Sequence, residues 1–286
     1  MKIGAMVESF RVGLEAGLEA AKAVGADGVQ IYAVKGEMHP DHLNSAGRAA
    51  LKRRLAGLGL ELAALCGDFG HGFQDPAANP KLLDDSKKVL DLAMDLGANV
   101  VTTHVGVVPA DKKVKRYTII AKACEELGRY GEGIGATFAI ETGPEPATVL
   151  AALLDDIAMP RGIGVNFDPA NLVMVVRDNV VEAVKALGKY IVHTHAKDGK
   201  NLRPVEDVEI LYGLKPAPPG KKVSWGDYMK ELPLGEGDVN FDTYLPALGG
   251  VGFGGYLTIE REVGQDPRKD IEQAVRFLKE KLHATG

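Results

Sequence analysis

Cysteine is scarce in this 286-residue chain: Cys66 and Cys124 stand far apart, with no CxxC pair and no clustered partner. A disulfide framework and a thiolate-rich metal cluster are therefore not expected, and a reducing, cytoplasmic setting is. Nowhere do about 18 apolar residues run without a charge, the length a membrane-spanning helix needs. Met1-Lys2-Ile3-Gly4-Ala5-Met6 leads straight into a strand-like run, so no signal peptide is read. No GxGxxG or GxxxxGK[ST] opens a helix, and the first strand continues into Val7-Glu8-Ser9-Phe10, which leaves glycine-loop nucleotide binding without support. Excess positive charge is also missing. A net charge of −5 and a pI near 5.8 argue against a nucleic-acid backbone or an anionic membrane as the main partner, and leave a small molecule.

What is present suffices for a globular core: 45% hydrophobic and 26% charged residues. Short runs rich in β-formers alternate with longer stretches of helical period. Ile3–Met6 precedes Val12–Val24, Gly28–Tyr32 precedes Ser45–Leu58, Leu60–Cys66 precedes Pro80–Leu96, and Val100–His104 precedes Val114–Tyr130. Thr137–Glu141 then leads to Pro146–Ile157, Gly162–Asp168 to Ala170–Leu187, Tyr190–His195 to Phe241–Leu248, and Tyr256–Glu260 to Pro267–Leu282. Glycine or asparagine marks many of the helix-to-strand turns, where a left-handed residue closes the helix. The expectation is a single-domain (β/α)8 barrel, a TIM barrel, over residues 1–286. An open doubly wound sheet is the competing fold.

One stretch breaks the rhythm, from about residue 199 to 240. It holds the only tryptophan, Trp225, and before it the bases Lys200, Arg203, Lys215, Lys221 and Lys222 against Glu206, Asp207 and Glu209. A solvated loop, a lid that brings Trp225 or a basic residue to a substrate, and a subunit contact in a homo-oligomer all fit such an insertion.

Strand side chains alternate between faces. Thr137 and Ala139 are in phase with Glu141, Gly164 and Asn166 with Asp168, His193 with His195, and Tyr256 and Thr258 with Glu260, while bulky apolar residues occupy the other faces. Glu141, Asp168, His195 and Glu260 thus converge at the carboxyl ends of four successive barrel strands, where this architecture places chemistry. Any one of them alone reads more readily as a helix cap or loop ion pair; four in phase read as ligands of one divalent metal ion. Three carboxylates and an imidazole suit Mn2+, Mg2+ or Co2+, with Zn2+ also compatible. Manganese is the first expectation. His193, a layer deeper, reads as a hydrogen-bonded core group; His104, in phase with Thr102, is open between substrate contact and structural histidine. His39, His42, His71 and His283 read as loop or surface groups.

The segments Ile140-Glu141-Thr142, Asn166-Phe167-Asp168-Pro169-Ala170-Asn171, His193-Thr194-His195-Ala196-Lys197-Asp198, Pro233-Leu234-Gly235-Glu236-Gly237-Asp238-Val239 and Ile259-Glu260 resemble the sugar phosphate isomerase/epimerase family of xylose-isomerase-like barrels, over essentially the whole chain. The resemblance implies that Glu141, Asp168, His195 and Glu260 are metal ligands and that Glu141 and Glu260 are also the acid/base pair. A substrate carbonyl and adjacent hydroxyl chelated by the metal would stabilise an enediolate, with carboxylates removing and returning the proton. The implied activity is isomerisation or epimerisation of a sugar or sugar derivative. Asn171 stands where the family's ketose 3-epimerases have histidine, and His195-Ala196-Lys197-Asp198 looks more like inosose dehydratase and hexulose-phosphate isomerase relatives. A dehydratase of a keto-inositol or related keto-polyol is accordingly the second expectation. Lys197, in phase with His195, reads either as a substrate contact or as a loop partner of Asp198; His104, Asn171 and Trp225 complete the expected substrate contacts. A DNA-repair nuclease of the related endonuclease branch would need a richer metal cluster and a DNA-binding surface. A non-catalytic binding protein is the remaining alternative.

Overall fold

The computed structural model describes residues 1–159 and 161–285. Eight parallel strands close a barrel: β1 (Lys2–Met6), β2 (Gly28–Tyr32), β3 (Glu61–Cys66), β4 (Val100–Thr103), β5 (Thr137–Glu141), β6 (Ile163–Phe167), β7 (Ile191–Ala196) and β10 (Tyr256–Ile259). The remaining strands, β8 (Asp198–Asn201) and β9 (Met229–Leu232), form a separate antiparallel pair in the insertion. The expected eightfold alternation and closed barrel are present. No helix among the described residues is long and apolar enough to cross a membrane.

The outer ring consists chiefly of α1 (Leu14–Val24), α2 (Ser45–Leu58), α3 (Asn79–Leu96), α4 (Lys115–Ile134) and α5 (Ala147–Ile157), followed after β6 by the short α6 (Pro169–Asn171) and by α7 (Val180–Leu187). A single turn in the insertion, α8 (Val208–Leu211), precedes α9 (Phe241–Gly250) and α10 (Pro267–Thr285). Local chemistry marks their ends. The Asn44 and Asn240 side chains accept from Gly47 and Asp242 N–H at the starts of α2 and α9, satisfying first-turn donors that the helix itself cannot pair. Gly25, at φ +83°, closes α1 in the left-handed conformation.

The main core lies between the barrel and its helices, where Phe138, Phe167, Leu65 and Ile140 face Leu90, Leu127 and Tyr244. Inside the barrel a small apolar floor of Ala64, Val100 and Ala139 gives way to a buried polar layer of Gln30, Thr102, Asn166 and His193. That polar layer supports the mouth.

The continuous helix expected over Ala170–Leu187 is broken. A π turn, Leu172–Val176, ends at Arg177 with φ +56°, and Asn179 restarts the chain by capping Val181 and Glu182. The insertion holds this break open: Asn201 Nδ2 donates to Met174 O at 2.6 Å, and a Cβ on Gly199 would lie 2.3 Å from Met174 Sδ. Asp178 is used besides, accepting from Ala147 N at 2.9 Å at the start of α5. The insertion is therefore a hairpin whose base, β8 and β9, packs on the π turn.

Candidate metal centre and active-site mouth

Glu141 ends β5, Asp168 follows β6, His195 lies near the end of β7 and Glu260 follows β10. These four residues are buried, and each offers one ligand atom within 4.8 Å of the others. His195 Nδ1 lies 3.3 Å from Glu260 Oε2, 3.5 Å from Asp168 Oδ2 and 3.6 Å from Glu141 Oε1. Ligands at about 2.1 Å from a common centre stand roughly 3.0–3.5 Å apart at ordinary coordination angles, so this spacing fits the edges of a coordination polyhedron. Two of the converging atoms, His195 Nδ1 and Asp168 Oδ2, are buried without a hydrogen-bond partner. Orphaned polar atoms at such depth cost stability unless something else satisfies them. The donor set and its orphaned atoms fit a divalent cation.

Three of the four side chains are held from behind by hydrogen bonds. The Asn166 amide donates to Glu141 Oε2 at 2.9 Å, and the Asn171 amide donates to Glu141 Oε1 at 3.0 Å. Asp168 Oδ1 accepts from Asn171 N at 2.9 Å, which caps α6 and leaves Oδ2 aimed inward. Thr142 Oγ accepts from Asp168 N at 2.8 Å and donates to Asp168 O at 2.9 Å, fastening the end of β5 to that of β6. Gln30 Nε2 donates to Thr102 Oγ at 3.0 Å, so its Oε1 is free to accept from His193 Nε2 at 2.9 Å and His195 Nε2 at 3.2 Å. A proton on Nε2 of His195 would leave Nδ1 to a bound metal, the tautomer a metal ligand needs; without the metal, burial lowers the imidazole but Glu260 and Glu141 carry it well above its ordinary value.

Charge follows from this geometry. Burial raises the Glu260 carboxyl, but Lys197 and His195 outweigh it and hold the group down at about 2. Burial likewise raises Glu141, and His104 and His195 bring it well below the ordinary carboxylate range. Both are ionised at neutral pH. Burial lowers His104, yet Glu141 and Asp68 carry it well above the ordinary imidazole value. Burial and neighbouring His195 push His193 down to about 3, consistent with its expected role as a neutral, hydrogen-bonded core group.

The site opens into a cavity of about 720 Å3 at the carboxyl end of the barrel. His104, Asn171, Lys197 and Trp225 all line it, but they differ in what they touch. His104 sits between Asp68, at 2.7 Å, and Glu141, at 3.4 Å. Asn171 spends its amide on Glu141 and on Thr142 O. The Lys197–Asp198 pairing open in the sequence does not form. Lys197 donates to Glu260 Oε2 at 2.8 Å and pairs with Glu262, while Asp198 turns away to accept backbone N–H groups. Trp225, in the insertion just ahead of β9, meets Tyr212 with ring centroids 4.8 Å apart.

The insertion's bases do not reach the cavity in the way a lid carrying a basic residue would require: Lys215 pairs with Asp207 and Glu209, and Arg203 lies over Tyr228. His71, read as a loop or surface group, is an exposed loop residue that also lines the cavity. Sequence reasoning missed Gln30, Asp68 and Glu262. Gln30, a lone amide between Val29 and Ile31 in a strand, was the available signal; Asp68 and Glu262 lie in loops beyond the reach of strand phase.

The profile of the xylose isomerase-like TIM barrel family matches residues 18–281. Among solved structures, a xylose isomerase domain protein from Planctomyces limnophilus is 25% identical, covering 98% of this chain and 96% of its own, with a TM-score of 0.78. The probable 3-DHS dehydratase AsbF involved in petrobactin synthesis, from Bacillus anthracis, is 17% identical over 98% of this chain and 99% of its own, with a TM-score of 0.73. The E. coli 3-keto-D-glucoside 4-epimerase YcjR is 14% identical over 98% and 99%, with a TM-score of 0.70. The likeness to the last two is one of fold. No curated protein matches the chain.

Proposed function

Because the chain belongs to the xylose isomerase-like TIM barrel family, which includes sugar isomerases, epimerases and dehydratases, we propose that it is a divalent-metal-dependent isomerase or epimerase of a sugar or sugar derivative. The observation that carries this reading is the convergence of four buried ligand atoms within 4.8 Å, two of them otherwise unpartnered. A bound Mn2+, or Mg2+, Co2+ or Zn2+, would polarise a carbonyl and its neighbouring hydroxyl as a Lewis acid.

The chain's own groups account for the proton. Glu141 and Glu260 arrive from different strands, both are ionised, and both edge the cavity, so one can accept the proton beside the carbonyl while the other returns it. Return to the opposite face of the same carbon inverts it; return to the neighbouring carbon interconverts aldose and ketose. Lys197 steadies the charge on Glu260, and Asn166 and Asn171 fix the plane of Glu141. Tyr212 and Trp225 line the same cavity, where a bound substrate packed against them would limit water around the reacting carbon.

The second reading, dehydration of a keto-polyol, is favoured by the His104–Asp68 pair, which would deliver a proton to a departing hydroxyl. NMR of a panel of ketoses and keto-polyols with metal-loaded protein in deuterated water tests both. Deuterium uptake without loss of water supports the isomerase or epimerase; an absorbing enone supports the dehydratase. No turnover of any carbonyl compound with metal bound would sink both readings.

A further inference from the structure

The charge a substrate can carry is written into the surroundings of the metal centre. Asp68, Asp75, Glu141, Glu260 and Glu262 line the cavity, with Asp168 directly beneath. Among the described residues no arginine lines it, and its single lysine, Lys197, is already engaged by Glu260 and Glu262. A divalent ion, Lys197 and His104, which is paired with Asp68 and Glu141, together would offset four of these six carboxylate charges. The remaining field inside a mouth walled by protein opposes the entry of a dianion.

Phosphate sites in such barrels are commonly built after the seventh and eighth strands, from loop N–H groups. A nest of that kind exists here after β7, and the chain fills it with its own carboxylate. Asp198 Oδ1 accepts from Gly199 N at 2.8 Å and Val239 N at 3.1 Å, while Oδ2 accepts from Gly235 N and Gly237 N at 3.0 Å each. A Cβ on Gly237 would lie 1.9 Å from Asp198 Oδ1, so the loop is moulded to this side chain. The nearby cations are likewise committed, Arg116 to Glu209 and Lys215 to Asp207 and Glu209.

The outer wall is aromatic instead. Trp225 is 44% exposed, stands edge-to-face with Tyr212 and shares the rim with Leu214. Such faces suit the C–H face of a sugar ring or an aromatic aglycone. The cavity of about 720 Å3 falls within the roughly 300–1,000 Å3 typical of drug-sized ligands, larger than one six-carbon sugar requires.

We propose, resting on the isomerase or epimerase reading above, that the substrate is an uncharged carbohydrate of more than one ring. Its reacting carbonyl unit sits at the metal centre, its second ring or aglycone lies against Tyr212 and Trp225, and phosphorylated sugars are excluded.

Calorimetric titration of the Mn2+-loaded protein with lactulose, isomaltulose, fructose and fructose 6-phosphate tests this. The two-ring ketoses are expected to bind about tenfold or more tightly than fructose, and fructose 6-phosphate about tenfold or more weakly. Trp225→Ala should erase the two-ring advantage over fructose. Fructose 6-phosphate binding as tightly as fructose, no binding by either two-ring ketose, or equal losses for all probes in the Trp225 variant would overturn the proposal. Deuterium exchange in the same samples separates it from its parent reading. Exchange confined to the phosphorylated ketose overturns the substrate class and keeps the isomerase; two-ring binding with no exchange into any probe keeps the class and removes the isomerase.

Discussion

Gln30 Oε1 lies 3.2 Å from His195 Nε2, on the side of the imidazole opposite the three carboxylates. Gln30 itself is oriented by donation to Thr102, so the tautomer of His195 depends on a residue three strands away from it around the barrel. Replacing Gln30 by Leu should weaken Mn2+ binding about 10–100-fold, the usual cost of losing the partner behind a ligating histidine. Competitive titration with a chelator measures it. Unchanged affinity would assign the orientation of His195 to other groups.

Asp168→Asn retains an oxygen to cap Asn171 N but removes the inward charge, and His195→Ala removes the nitrogen ligand outright. Both variants should stay folded, lose stoichiometric metal on mass-spectrometric analysis, and lose the rise in Tm that added Mn2+ gives the natural protein. Full metal content in both would refute the assigned ligand set.

Glu141→Gln and Glu260→Gln keep shape and one oxygen while removing basicity. At metal saturation, each should lose solvent exchange at the reacting carbon by about 10²–10⁴-fold. Near-normal exchange in both would move proton transfer to another group, with His104 the first to test.

Strand phase made the four-residue cluster legible, because each of the four lies at the carboxyl end of its strand, where a period of two aims alternate side chains into the barrel. The same rule could not place Asp68 or Glu262, since loop side chains obey no such period. Nor could it reveal the π turn at Leu172–Val176. The apolar pattern from Ala170 to Leu187 continues through the break, and what opposes a regular helix is tertiary: Asn201 holding Met174 O, and Gly199 pressed against Met174. Asp178-Asn179 was a local sign of a new helix start that the longer apolar pattern masked. For Lys197 the alternation gave the direction but not the partners, which come from Glu260 and from a loop distant in sequence.

Glu145 is buried beside the mouth and accepts from Val108 N–H at 3.2 Å. Burial pushes its carboxyl up to about 8, against the opposing effects of that hydrogen bond and of His104. A carboxyl whose folded value is raised contributes most below its unfolded value, near 4.5, where both states are protonated. As pH climbs from there to about 8, the unfolded chain releases a proton that the folded chain retains, and stability falls. Glu145→Gln removes this slope while keeping an acceptor for Val108 N–H. Urea unfolding at pH 5 and pH 8 should show the variant gaining roughly 3–5 kcal/mol relative to the natural protein between the two. Parallel stability in both would place the charge of Glu145 elsewhere.

The hairpin tip poses a separable question, because the stretch from Lys215 to Lys222 follows Leu214 and precedes Trp225, both of which line the cavity. Lys215 pairs with Asp207 and Glu209 and none of the stretch's bases lines the cavity, so an effect of removing it would arise from displaced walls and not from lost charge. Excising Lys215–Lys222 leaves the base of the hairpin, Asp198–Asn201 against Met229–Leu232, and the metal ligands untouched. If the tip closes over substrate, KM should rise about tenfold or more with metal content and oligomeric state unchanged, the pattern of lost binding contacts. A fall in kcat alone would point to loosened closure around the reacting carbon. Full activity on the identified substrate would reduce the tip to a solvated loop, and an altered oligomeric state would make it a subunit contact.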